Sequence, residues 1–311
     1  MKDKPHFHGL MFHHFHNNCH PKGQGSISSE TFENILKFYS KKYNIISSDI
    51  FYERFMEQNL DDTDVCITFD DNLKCQYDIA LPVLDKYSLK AFWFVYTSPL
   101  DGVYEKLEIY RYFRSKFFKT FKEFYDSFFK LLKNKSEFFY VFELLDNFDH
   151  QKYLNEFSYY SKEDKIFRYT RDKILGEKKY FKLMDSMIKE SGLKLNDDLH
   201  KSLWMDKIDL KDLSEKGHIV GLHSHSHPTK MGEKSFDFQN ENYKTNKHIL
   251  EDLLKKDVFS MSHPCNSYSN DTLEILTNFN IEIGFRASMK TAHNSNLEVP
   301  RIDHAEILKL L

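Results

Sequence analysis

The chain lacks any run approaching the roughly 18 apolar residues of a membrane helix. No apolar signal-peptide core follows Met1-Lys2-Asp3-Lys4-Pro5-His6, so neither export nor membrane spanning is expected, and the protein is read as cytoplasmic. Its four cysteines, Cys19, Cys66, Cys75 and Cys265, make no C-x-x-C pair, and a chain of 311 residues needs no disulfide staples. Reduced thiols follow. A net charge of -3 supplies no general attraction to nucleic acid or to an anionic membrane. No internal repeat or low-complexity tract is present. There remains a globular chain long enough for one large domain or two small ones.

What the sequence has in excess is aromatic residues, 29 Phe and 18 Tyr. Flat side chains fill cores and also make platforms for sugar rings; for any single one the core is the default. Short apolar runs at 9–12, 65–69, 90–96, 218–222, 258–262 and 281–286 read as strands. Helical patterns lie between them. Ser28 or Ser29 caps a helix through Phe32, Ile35, Leu36 and Tyr39, with Glu30 and Glu33 in its first turn, and 77–87 and 271–279 read as further helices. This repetition predicts a parallel α/β fold, a barrel whose chemistry gathers at the C-terminal ends of its strands. The repetition breaks between about 100 and 205. There Phe113, Phe117, Phe121, Phe124, Phe128 and Leu132 recur at spacings of three and four, which predicts an amphipathic helix. Residues 138–148 and 174–188 read as helical too. The stretch is read as a helical insertion between two barrel strands, serving as a packing layer, an oligomer contact or a substrate lid.

Two motifs close predicted strands. Ile67-Thr68-Phe69-Asp70-Asp71 ends one apolar run in adjacent acids, and His223-Ser224-His225-Ser226-His227-Pro228 follows another. Adjacent side chains on a strand point to opposite faces, but where the strand ends the chain turns and both carboxylates can reach one cleft. One can then hold a divalent ion while the other stays free as a base. His223 and His227, four apart, are expected on one side of a helical turn, with His225 on the other. Alone, an Asp pair is ordinarily a solvated turn, and paired histidines arise easily in a chain with 16 of them. Together, an Asp-His-His set with a spare carboxylate suits a metal-assisted hydrolase better than a structural knot, because coordination positions stay open. Zn²⁺ fits these ligands, as do Co²⁺ and Ni²⁺. Such an ion polarises a carbonyl and lowers the pKa of water toward about 7.

Thr68-Phe69-Asp70-Asp71, Gly221-Leu222-His223-Ser224-His225-Ser226-His227-Pro228 and Ser262-His263-Pro264-Cys265-Asn266-Ser267-Tyr268 together resemble three motifs of the polysaccharide deacetylases of the NodB-homology type, carbohydrate esterase family 4. The third is divergent. The resemblance implies a distorted (β/α) barrel over 1–311, with the helical insertion at about 100–205. It implies Asp70 as general base and Asp71, His223 and His227 as metal ligands. Pro264 and Cys265 through Tyr268 would wall the substrate groove, with backbone N–H near Cys265 helping to hold an oxyanion. The family's third motif begins with an arginine that supports the catalytic aspartate. Ser262 stands in that place here, and Arg286 and Arg301 are the replacement candidates. The family's general acid is a histidine in a short apolar motif. His304 has the wrong setting, whereas Gly9-Leu10-Met11-Phe12-His13-His14-Phe15 resembles the opening strand of the circularly arranged branch that includes poly-N-acetylglucosamine deacetylases. His13 is therefore assigned as the acid, with His14 and His16 as alternatives. The implied activity is removal of an N-acetyl group from an amino sugar of a polysaccharide or of its lipid- or nucleotide-linked precursor. Two other readings are a deformylase or other C–N hydrolase on a sugar conjugate, and a catalytically silent carbohydrate-binding relative.

Overall fold

A computed structural model describes residues 6–154, 160–289 and 295–311; residues 1–5, part of the segment read above for a leader, lie outside it. One parallel sheet contains β1 (His8–Phe12), β2 (Asn44–Ile45), β3 (Asp64–Phe69), β4 (Phe92–Val95), β5 (Ile219–Leu222), β6 (Ser260–Ser262), β7 (Ile283–Phe285) and β8 (Arg301–Asp303). Their order is β7-β6-β5-β4-β3-β1-β8, with β2 beside β3. Val299, just before β8, bridges back to Phe285 in β7. The Arg286 N–H donates to Val299 O at 3.0 Å, and the Val299 N–H to Gly284 O at 2.8 Å. The sheet is thus nearly closed into a barrel with helices around it, as predicted. All six predicted strands are present. The unpredicted ones, β2 and β8, span two and three residues, too short to display a period of two.

Alternation along the strands decides what faces the barrel interior. Cys66, Phe92, Phe94, Ile283, Phe285 and Val299 fill it, continued by Ile46, Phe51 and Phe55. Their neighbours pack outward: Phe69 stacks on Trp93 at 4.3 Å, and Phe12 meets Phe32 of the helix Ser29–Tyr39 edge-on at 4.8 Å. Ser28 caps that helix, accepting from the Thr31 N–H at 3.1 Å. These aromatics are core, not sugar platforms. Gly9 serves the interior directly, since a Cβ there would lie 2.9 Å from Arg301 Cγ. The predicted 77–87 helix is modified. Gln76–Ala80 is a π turn and only Leu81–Tyr87 is α-helical. Pro82 crowds the carbonyl four residues back, and the turn before it widens so that the Leu81 N–H reaches Gln76 O, five back.

After Tyr104 the chain forms a second compact unit, Glu105–Leu195, and returns to the barrel unit at Asn196. Among the described residues, every regular element in it is helical. The phenylalanine stripe does not lie on one helix as its spacing predicts. It is divided between Lys106–Phe117 and Phe121–Lys133, because Thr120 caps the second helix, its Oγ1 accepting from the Glu123 N–H at 3.2 Å. Phe113, Phe124, Phe128 and Leu132 are buried, but Phe117 at the break is exposed. The other two predicted helices are present as Phe139–Asp146 and Gly176–Ser191. No described helix is long and apolar enough to cross a membrane.

Candidate active site at the barrel mouth

Side chains two apart on a strand share a face, and this rule assembles the site. Thr68 and Asp70, at the end of β3, point inward with Ser262 of β6 and Arg301 of β8. Asp70 is buried, and Arg301 clamps it bidentately: Nη1 donates to Oδ1 and Nη2 to Oδ2, both at 2.7 Å. Arg301 is itself held by Thr68 Oγ1 at 3.1 Å and by the Arg286 carbonyl at 3.1 Å. The Ser262 hydroxyl adds a third bond to Asp70, donating to Oδ1 at 3.1 Å. Burial works to raise the Asp70 pKa, but Arg301 first, then His223 and His13, hold it below the ordinary carboxylate value.

Asp71 turns away from its neighbour because its backbone enters the left-handed region, φ 78°. Its Oδ1 lies 3.3 Å from His223 Nε2 and 3.1 Å from His227 Nε2. The expected helical turn is not what brings the histidines together. Residues 223–228 are a loop in which Ser224 and His227 have φ of 62° and 47°, and the rings converge at 4.9 Å. Several bonds shape this loop: Ser224 Oγ accepts from the His227 N–H at 3.1 Å, Asn246 Oδ1 from the His223 N–H at 3.0 Å and Asn242 Oδ1 from the Ser226 N–H at 2.9 Å, and the Ser98 N–H donates to His225 O at 2.9 Å. His225 points elsewhere, its Nδ1 3.0 Å from Thr97 Oγ1. His223 Nδ1 faces Ser262 O at 3.0 Å and Ser262 Oγ at 2.7 Å, leaving Nε2 free to act as a ligand.

The three ligand atoms fit a divalent ion. They lie within 4.8 Å of one another. Tetrahedral ligands about 2.0–2.1 Å from zinc stand about 3.3 Å apart, the separation Asp71 keeps from both imidazoles. Among the described residues, buried Asp71 Oδ1 faces only these two imidazole nitrogens and makes no well-aligned hydrogen bond, as an atom reserved for a cation would. Burial opposes charge on Asp71, yet His227 and His223 set its pKa well below the usual range.

His13, just past β1, is partly exposed on the other side of the carboxylates. Its Nε2 is 3.9 Å from Asp70 Oδ2 and 4.0 Å from Asp71 Oδ2, and its Nδ1 is 3.9 Å from Asp303 Oδ2. These gaps are too wide for direct hydrogen bonds and leave space for a reacting group. The alternatives are differently placed. The His14 ring lies 6.5 Å from that of His13, and His16 Nδ1 sits 2.8 Å from Ser26 Oγ in a turn; His304, set aside on its sequence setting, is buried against Phe12 with Nε2 2.8 Å from Gly25 O.

Three contributors had weaker sequence signals. Asp303 is two residues beyond Arg301 on one strand, so the alternation rule reaches it once β8 is known. Ser262 was visible only as a missing arginine. Gln76 had no signal. It is buried within the turn after the paired acids, and its Nε2 donates to Asp70 O at 2.6 Å and to His13 O at 2.9 Å while Oε1 accepts from the Leu73 N–H at 3.3 Å. One amide thus ties together the backbones of the two residues assigned as base and acid.

The third-motif loop forms a turn, Pro264–Asn266, with exposed Cys265 in the left-handed region. Tyr268 stacks on His263 at 4.1 Å and donates to Glu298 at 2.9 Å, bracing this loop rather than reaching the Asp-His-His set. Of the two arginine candidates, Arg301 engages Asp70. Arg286 contributes its carbonyl to Arg301, and its guanidinium lies beside Tyr268, whose pKa burial and then Glu298 raise and Arg286 lowers.

A polysaccharide deacetylase family model matches residues 183–284, a span that holds His223, His227 and the third-motif loop but neither the paired acids nor His13 and Arg301. No curated protein matches. Among solved structures, the Streptococcus pyogenes deacetylase PplD in complex with acetate shares the fold at TM-score 0.54 and 17% identity, over 96% of this chain and 91% of that one. IcaB from Ammonifex degensii matches at 0.55 and 14%, over 96% and 90%. A de-N-acetylase from Aggregatibacter actinomycetemcomitans matches at 0.56 and 12%, over 98% and 99%. The resemblance to the polysaccharide deacetylases is borne out over 183–284, and the barrel class over nearly the whole chain.

Proposed function

We propose that this chain, which has the barrel of the polysaccharide deacetylases, is a metal-dependent hydrolase that removes the N-acetyl group from an amino sugar of a surface polysaccharide or of its precursor. The observation that carries this reading is the division of labour between two adjacent carboxylates. Asp71 meets both imidazoles, while Asp70 is kept apart from them, buried and ionised by Arg301. A binding protein has no use for that second carboxylate. Arg301 brings to Asp70 the guanidinium that the third motif lacks, which favours an enzyme over a catalytically silent relative.

A divalent ion held by Asp71, His223 and His227 would polarise the acetamide carbonyl and acidify water. Asp70 accepts the proton of the attacking water, a contribution typically worth about 10²–10⁴ in rate. His13 stands across the gap with Nε2 toward the carboxylates, where it protonates the departing amine. Asp303 Oδ2 lies 3.9 Å away on the Nδ1 side of that imidazole. Acetate, which the streptococcal deacetylase of this fold holds in its structure, is the product released.

The test is acetate release from polymeric, lipid-linked and nucleotide-linked N-acetylated amino sugars, with formamido analogues alongside. Release of acetate that Asp70→Asn abolishes supports the reading. Turnover of formamido substrates alone would make the protein a deformylase, and full activity after chelation would refute metal dependence.

A further inference from the structure

The whole-chain charge conceals a division. Residues 105–195 carry 20 Lys and Arg against 15 Asp and Glu, a net +5, while the rest of the chain carries 24 against 32, a net −8. A basic unit inserted into an acidic one points to an anionic partner for the insertion. Within that unit one helix is out of place by composition. Phe139–Asp146 reads FYVFELLD, six of eight residues apolar or aromatic, yet only Val141 is buried. Phe139 is 54% exposed and Leu144 is 51% exposed, with Phe142 and Leu145 half-buried between them. An apolar helix left open to water in this way marks a surface that something covers.

Its flanks say what kind of surface. Lys133 Nζ stands 5.5 Å from the centre of the Phe142 ring. Lys179 Nζ stands 4.9 Å from the Tyr140 ring and donates to its hydroxyl at 2.9 Å. Lys182 lies 4.0 Å from Glu137, at the helix entrance. Glu143 and Asp146 are the acids on the helix itself, both exposed. Lysines beside half-buried rings, next to the exposed Phe139 and Leu144, form the arrangement that lets apolar side chains enter a lipid interface while ammonium groups meet headgroup phosphates. A second copy of the chain is a poorer occupant, because pairing two such units would juxtapose two net charges of +5.

We propose that the helical unit docks peripherally on an anionic phospholipid surface, with Phe139 and Leu144 at the interface and Lys133, Lys179 and Lys182 facing the headgroups. This is adsorption, not spanning, and it does not rest on the deacetylase reading. If both hold, the sugar substrate is presented at the membrane, as a lipid-linked precursor would be.

The experiment is sedimentation of the full chain with vesicles of phosphatidylglycerol mixed with phosphatidylcholine, and with phosphatidylcholine alone, at low and high salt. Binding that requires phosphatidylglycerol and weakens in salt is expected. Each lysine near an anionic surface is worth about a factor of five, so the triple variant Lys133→Glu, Lys179→Glu, Lys182→Glu should bind at least about a hundredfold more weakly. Phe139→Ser with Leu144→Ser should also lose binding, with helix content by circular dichroism unchanged because both side chains are exposed. Equal binding to both vesicle types, no binding to either, or unaffected variants would overturn the proposal. So would a dimer broken by the Phe139 and Leu144 changes in a chain that ignores vesicles. None of these readouts involves turnover, so failure here leaves the catalytic reading intact.

Discussion

Replacing Arg301 with Met tests the centre of the site. Arg301 and Asp70 are 1% and 3% exposed, so the change strands a buried carboxylate with the Ser262 hydroxyl in place of a guanidinium. Met keeps much of the stem volume that passes Gly9, so packing is largely spared. The two charge-assisted bonds at 2.7 Å are worth about 1.5–3 kcal/mol each. Removing one partner of a buried pair costs about 3–5 kcal/mol, and the two figures agree. Asp70→Asn should cost a similar amount, because it strands the guanidinium instead. The double variant removes both charges, so it should be less destabilised than the sum of the singles by about 2–4 kcal/mol. Urea unfolding followed by tryptophan fluorescence measures this, since the only two tryptophans, Trp93 and Trp204, both belong to the barrel unit. Additivity within about 0.5 kcal/mol would refute the coupling. In the activity assay, burial unopposed by Arg301 raises the Asp70 pKa, so Arg301→Met should lose turnover at neutral pH by about 10²-fold or more and recover part of it in alkali. A pH profile unchanged from the parent would mean that Arg301 does not set the state of Asp70.

Further expectations concern metal, positioning and acid stability. His223→Ala or His227→Ala should reduce bound divalent ion from about one per chain to near zero by elemental analysis, whereas Asp70→Asn should retain it; loss in Asp70→Asn would exchange the roles of the two aspartates. Gln76→Leu removes the amide that joins Asp70 and His13 through their backbones, and displacement by about 1 Å at a reacting pair can cost about 10²-fold. Its kcat should fall by about that factor while metal content is unchanged, and an unaltered kcat would make Gln76 a packing residue. Burial, first among the causes, lowers the pKa of His8, His218 and His263 from 6.5 to about 4. Between those values the unfolded chain binds more protons than the fold. Stability is therefore complete above pH 6.5 and is lost as pH falls toward about 4, with a slope of about 1.4 kcal/mol per pH unit for each histidine. Unfolding curves at about pH 7 and about pH 5 check this, and equal stabilities would refute the burial of neutral imidazoles.

What the sequence discloses here is governed by range. The six strands with an apolar run of their own were legible, and so was the barrel, because periodicity is a local property. The four residues Asp70, Asp71, His223 and His227 are legible as two short motifs, although the spacing of the histidine pair points to the wrong local structure. Four-residue spacing suggested a helix, and the structure uses two left-handed residues, Ser224 and His227, which carry no pattern in a single chain. The phenylalanine stripe misled in the opposite way. Its period was helical throughout, but a single capping threonine at Thr120 restarted the helix, and a cap outweighs two more matches to a period. What stayed illegible was contact across sequence distance. Nothing near residue 70 signals that its cation waits at Arg301, and nothing near Ser262 signals that its hydroxyl touches both Asp70 and His223. Yet one rule recovers most of it once the strands are placed. Thr68 and Asp70, and Arg301 and Asp303, are each two apart, and a parallel barrel points the inward member of every such pair at the same mouth. The guanidinium absent from the third motif is thus supplied to Asp70 by Arg301, from another strand. The barrel's closing strand passes close enough for its first inward residue to reach an aspartate from the opposite end of the sequence, and Gly9 leaves the space for it to do so.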